Sequence, residues 1–106
     1  MTSNIGISVR EVADGLRGSA IRLIDVRTQE EYAIAHIEGA TLLTDELAQQ
    51  ILTWPKDTPI VLHCHMGGRS MDAARYLTQQ GFTNVKSMNG GIDAWSIEID
   101  PVVPRY

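Results

Sequence analysis

Pro59-Ile60-Val61-Leu62-His63-Cys64-His65-Met66-Gly67-Gly68-Arg69-Ser70 is the stretch on which the reading of this chain turns. Its first four residues are apolar and run into His63 without polar alternation, the pattern of a strand buried on both faces of a parallel sheet. Residues 64–69 form a glycine-rich loop. Ser70–Gln80 then reads as a helix, with Met71, Ala74 and Leu77 along one face and Gly81 as its stop. A buried strand feeding a helix through a short loop is the repeating unit of an α/β sheet.

Working outward, the same unit recurs on both sides. Ile5-Gly6-Ile7 is a brief extended piece. Ser8-Val9-Arg10-Glu11 is a capping box opening a helix, with Val9, Val12, Ala13 and Leu16 on one face and Gly18 at its end. Ile21–Val26 is β-branched and reads as a buried strand. Thr28-Gln29-Glu30-Glu31 is a second capping box, for a short helix through about His36. Ala40–Leu43 is a third strand. Thr44 or Asp45 caps a third helix carrying Leu47, Ala48, Ile51 and Leu52. After the central stretch come a fifth strand, Asn84–Met88, and an Asn89-Gly90-Gly91 turn into a last helix through Trp95. Pro101 and Pro104 keep the tail from being helical. Strands separated by helices imply right-handed crossovers and a mostly parallel, helix-covered sheet.

Composition sets the bounds. One hundred and six residues suit one domain, 1–106, with 98–106 as an extended C-terminal tail. The net charge of −4 argues against nucleic acid or an anionic membrane as partner. No apolar run is long enough to span a bilayer. Met1-Thr2-Ser3-Asn4 has neither a basic nor an apolar signal region, so a cytoplasmic location is expected. Cys64 is the single cysteine, which leaves no intrachain disulfide and no multi-cysteine zinc site.

Ligands of an open parallel sheet bind beyond the carboxyl ends of its strands. Two such ends carry reactive side chains: Asp25-Val26-Arg27, and Cys64-His65-Met66-Gly67-Gly68-Arg69-Ser70. In the second, Gly67 and Gly68 let the loop curl its N–H groups inward, and the following helix aims its positive end at the same point. Arg69 adds a cation. A thiol facing these donors has a lowered pKa, and the same nest holds an oxyanion or a persulfide on the sulfur itself. A lone cysteine on a strand is ordinarily a small buried hydrophobe. This one follows its strand and opens the loop, so a reactive cysteine is expected.

At these residues the sequence resembles the rhodanese (thiosulfate sulfurtransferase) family in its single-domain form. The resemblance rests on Asp25-Val26-Arg27, Glu31-Tyr32 and His36-Ile37-Glu38-Gly39-Ala40, then on Cys64-x-x-Gly67-x-Arg69-Ser70. It closes with Gly81-Phe82-x-Asn84-Val85 and Asn89-Gly90-Gly91-Ile92-x-Ala94-Trp95. Ala35 and Glu38 depart from the family's usual glycine and proline. The resemblance implies a five-stranded, mostly parallel sheet flanked by helices on both faces. It implies ping-pong transfer of a sulfane sulfur through a Cys64 persulfide, with neither a metal nor an organic cofactor. The donor would be thiosulfate or a persulfide; the acceptor would be cyanide, a small thiol or a protein thiol. The backbone of residues 65 to 70 (His65, Met66, Gly67, Gly68, Arg69, Ser70) would hold the persulfide, and Arg69 the loop or an anionic donor.

Around this core, Asp25 is read as bracing the loop from the neighbouring strand end. Arg27 either touches substrate or forms an internal ion pair with Glu31, four residues on. His63 and His65 flank Cys64, His65 at the pocket mouth. His36 is read as a structural hydrogen-bonder, and Trp54 and Trp95 as packing residues. Two other functions stand beside sulfur transfer. A non-catalytic sulfur carrier or protein-binding module would need the same persulfide. A cysteine-loop phosphatase or arsenate reductase would need Cys-x5-Arg, whereas Cys64 and Arg69 are separated by four residues. With no cation between them, thiosulfate is expected to be a usable but poor donor. The oligomeric state is not legible.

Overall fold

The computed structural model describes residues 5–106, so the reading of Met1–Asn4 lies outside the described residues. Five strands, β1 (Gly6–Ile7), β2 (Arg22–Asp25), β3 (Ala40–Leu42), β4 (Ile60–His63) and β5 (Val85–Met88), form one sheet in the order β1-β5-β4-β2-β3. Every pairing is parallel. β4 is central and buried along its whole length, which is why its sequence carries no polar alternation.

Five helices fill the connections: α1 (Val9–Arg17), α2 (Gln29–Ile34), α3 (Asp45–Ile51), α4 (Gly68–Gln79) and α5 (Gly91–Glu98). Strand side chains alternate between two cores. Leu23 and Val61 join Val9, Val12, Met88, Ile92 and Trp95 on the α1/α5 side. Ile24, Ile60 and Leu62 join Ile51, Ala74, Leu77 and Phe82 on the α3/α4 side.

Both capping boxes form as their sequences require. Ser8 Oγ accepts the Glu11 N–H at 3.1 Å, and Thr28 Oγ1 accepts the Glu31 N–H at 3.1 Å, with each glutamate returning to its cap. Thr44, not Asp45, caps α3. Leu52 falls at the end of α3 and stays exposed instead of joining its apolar face.

Three boundaries differ from expectation. α2 stops at Ile34, short of His36, because Ala35 turns to extended backbone as its cap. α4 begins at Gly68, two residues before Ser70, because Gly67 serves as its N-cap with φ +120°. α5 runs past Trp95 through Glu98, so the tail begins at Ile99. That tail is not extended away from the sheet. It turns at Asp100–Val103, buries Val103 in the α1/α5 core and is held there by the Ser96 hydroxyl on the Val103 carbonyl. Among the described residues no helix is long and apolar enough to cross a membrane.

Candidate active site

The carboxyl end of β4 delivers Cys64 into the sheet's central crevice, between the ends of β2 and β5. Its thiol is only 1% exposed. Three residues on, Gly67 takes a backbone conformation closed to most side chains, and its N–H turns back to donate to Cys64 Sγ at 3.0 Å. The first N–H groups of α4, which have no intrahelical acceptor, face the same sulfur. Burial raises the thiol pKa. The Ser70 hydroxyl and the N–H groups of Ser70, Gly67 and Arg69 outweigh that, and the net shift is downward.

Ser70 is fully buried in the first turn of α4, and its hydroxyl lies 3.4 Å from Cys64 Sγ and 3.2 Å from the Gly67 carbonyl. Its oxygen is 2.8 Å from Ser87 Oγ on β5. A hydroxyl has one proton. If Ser87 donates to Ser70, the Ser70 proton remains available to the sulfur. Ser87 lies outside the motifs read from the sequence, where a serine beside Lys86 in a short strand gives no sign of being buried.

The loop is also held from behind. The N-terminus of α5 puts the Ile92 N–H on the Cys64 carbonyl at 2.9 Å and the Asp93 N–H on the His65 carbonyl at 3.2 Å. Gly91, at φ +60°, makes that approach possible. A Cβ there would sit 2.4 Å from the His65 oxygen and 2.5 Å from the Cys64 oxygen. The Gly90-Gly91 pair, read from sequence as a turn, is therefore the seat of the Cys64 loop.

Asp25 and Arg27 are brought together rather than placed on the loop. The Asp25 carboxylate accepts from the Arg27 backbone N–H at 3.0 Å, from Nε at 2.9 Å and from one terminal nitrogen at 2.6 Å. Both side chains are inaccessible to solvent. The remaining Arg27 donors meet the Ala35 and Glu31 carbonyls and the Tyr106 hydroxyl. The ion pair expected between Arg27 and the Glu31 carboxylate is thus corrected: the partner is Asp25. Two residues on the same strand end are nearer than the side of the next helix.

The Glu31 carboxylate instead crosses to the loop, gripping Arg69 through two bonds of 2.7 and 3.0 Å. Arg69 is not the free cation expected of it. It holds its proton more firmly because of Glu31, and Glu31 lies well below the usual carboxylate range because of Arg69. Nothing in the sequence links these two residues, which are 38 positions apart.

The two histidines diverge. His63 is fully buried, with Nδ1 3.3 Å from the Cys64 carbonyl and Nε2 3.6 Å from the Asp25 carboxylate, too far for a hydrogen bond. Burial holds its pKa below the ordinary imidazole value. His65 follows Cys64 in the loop and is stacked on the Tyr106 ring with centroids 4.1 Å apart. Met66 beside it is exposed. His36 lies on the surface, stacked on Tyr32 and 3.3 Å from the Tyr32 carbonyl, remote from the thiol's partners. Trp95 is core, and Trp54 packs on the other core beneath Arg22.

Comparison with known proteins places the chain in a family. The rhodanese-like domain family matches residues 8–98. The chain is 35% identical over 96 residues to thiosulfate sulfurtransferase GlpE of Shewanella oneidensis, covering 90% of this chain and 95% of that protein. It is 40% identical over 86 residues to the protein of the same name from Pseudomonas entomophila, covering 80% and 79%. Among solved structures, a rhodanese-like domain protein from Staphylococcus aureus superimposes with a TM-score of 0.74 at 27% identity, over 95% of this chain and 97% of that one.

Proposed function

The chain belongs to the rhodanese-like family and is a rhodanese-type transferase, and from that premise we propose that Cys64 carries the sulfur as a persulfide. The thiolate attacks the outer sulfur of the donor. The donor's S–S bond breaks, its electron pair leaves with sulfite (from thiosulfate) or with a thiolate (from a persulfide), and a new bond joins Cys64 Sγ to the transferred sulfur. A second nucleophile, cyanide or a thiol, then attacks that outer sulfur and Cys64 leaves as thiolate.

The observation that carries this reading is the convergence on Sγ of the Gly67 N–H and the Ser70 hydroxyl, with the N–H groups of Arg69 and Ser70. These donors favour the thiolate before the reaction and solvate the terminal sulfur after it. Gly67 and Gly68 supply the loop's backbone, and His65 and Met66 its rim. Asp25 and Arg27 act as a buried brace for the strand end. The Arg69 guanidinium is paired with Glu31 rather than free to grip a tetrahedral oxyanion, which favours sulfur transfer over phosphatase chemistry.

The test is an intact mass of the reduced protein incubated with thiosulfate or with a small-thiol persulfide, before and after cyanide. A gain of one sulfur, reversed by cyanide and absent in Cys64→Ser, is the expected result. No gain from either donor would overturn the reading.

A further inference from the structure

The tail reaches the active loop, and it does so through one side chain. Val103 is buried and Arg105 pairs with Asp93, so the segment is fixed on α5 just before Tyr106. The Tyr106 hydroxyl donates to Glu31 Oε2 at 2.7 Å and accepts from Arg27 at 2.8 Å, while its ring lies on His65. Tyr106 thus ties together the brace, the loop's mouth and the carboxylate that holds Arg69.

The consequence is electrostatic. Arg27 is spent on Asp25, Arg105 on Asp93, and Arg69 on Glu31. Thiosulfate brings two negative charges, and its leaving sulfite keeps both. A thiol persulfide releases a thiolate with one. The loop's N–H groups suit a single charged sulfur, and the rim of His65, Tyr106 and exposed Met66 offers ring faces and a thioether to an organic substituent.

We propose that Tyr106 and Glu31 determine donor specificity: by holding Arg69 neutralised they direct the Cys64 site to persulfides of organic thiols in preference to thiosulfate. Glu31 and Tyr106 act through Arg69 and are positioning residues. This inference rests on the Cys64 persulfide reading above.

Rate constants for loading Cys64, followed by rapid quench and intact mass, are measured with thiosulfate and with cysteine persulfide. Glu31→Gln keeps the capping box of α2 but removes the charge. It should raise the ratio of the thiosulfate to the persulfide rate constant by about tenfold, with a steeper loss of thiosulfate loading as salt is added. Tyr106→Phe keeps the ring on His65 and should move the ratio the same way by less. Added to Glu31→Gln it should change nothing further, since it acts through that carboxylate. An unchanged ratio in Glu31→Gln, or wild-type protein loading faster from thiosulfate than from cysteine persulfide, would overturn the inference while leaving Cys64 as carrier. Loading from neither donor would overturn both.

Discussion

Cys64 owes its lowered pKa to what its neighbours donate rather than to exposure, since burial alone would raise it. Ser70 is the side chain most directly on the sulfur. Ser70→Ala removes one of the groups that lower the Cys64 pKa, so the thiolate should form at higher pH. The pH profile of iodoacetamide alkylation should move alkaline. An unmoved profile would leave the backbone N–H groups as the whole cause. Cys64→Ser, by contrast, should abolish sulfur loading with little change in melting temperature, because a hydroxyl occupies nearly the same space.

At the scale of elements, the site is a junction of three: the end of β4, the start of α4 and the start of α5. Two glycines set the junction, for different reasons. Gly67 needs a positive φ, and Gly67→Val should collapse the sulfur's nearest donor and reduce loading at least tenfold, read by the same mass assay. Gly91 needs both a positive φ and empty space. Gly91→Ala forces a methyl into two carbonyl oxygens that α5 itself is bonded to. It should cost about 2–3 kcal/mol in urea unfolding and slow loading together. Loss of stability with full activity would show that the α5 contact only supports the fold. The helices themselves were legible because capping boxes are local: Ser8 with Glu11 and Thr28 with Glu31 need only three residues' spacing to act. The start of α4 was misplaced by two residues because glycine as N-cap leaves no side-chain signature.

Across the whole molecule, two buried or paired groups couple folding to pH. His63 is buried neutral, and its depressed pKa means the unfolded chain binds the proton first as pH falls. Stability should be full above the ordinary imidazole pKa of about 6.5 and decline below it. Glu31 is also depressed, so its contribution is present above the ordinary carboxylate pKa of about 4.3 and is lost as pH falls through its lower folded value. Urea midpoints followed from pH 8 down to pH 2 should therefore fall in two stages. His63→Gln should remove the first stage; its persistence would assign that stage to another group. The tail belongs to this scale too. Val103→Ala should cost about 1–2 kcal/mol if the segment is as well packed as its burial indicates.

The fold class, the position of Cys64 at the end of the central strand and the inward curl of its loop follow from the sequence by itself. They depend on apolar runs, caps and glycines acting within a few residues, together with the rule that parallel strands present their carboxyl ends to ligands. What only the tertiary structure decided is the pairing of charges. Arg27 lies on Asp25, Arg69 on Glu31, and Tyr106 returns to the mouth of the loop. The last two join residues 38 and 75 positions apart, and side chains that far apart meet only because crossovers and a folded-back tail bring their backbones together. A sequence shows which charges a chain has, whereas three-dimensional proximity decides which of them remain free to meet a substrate.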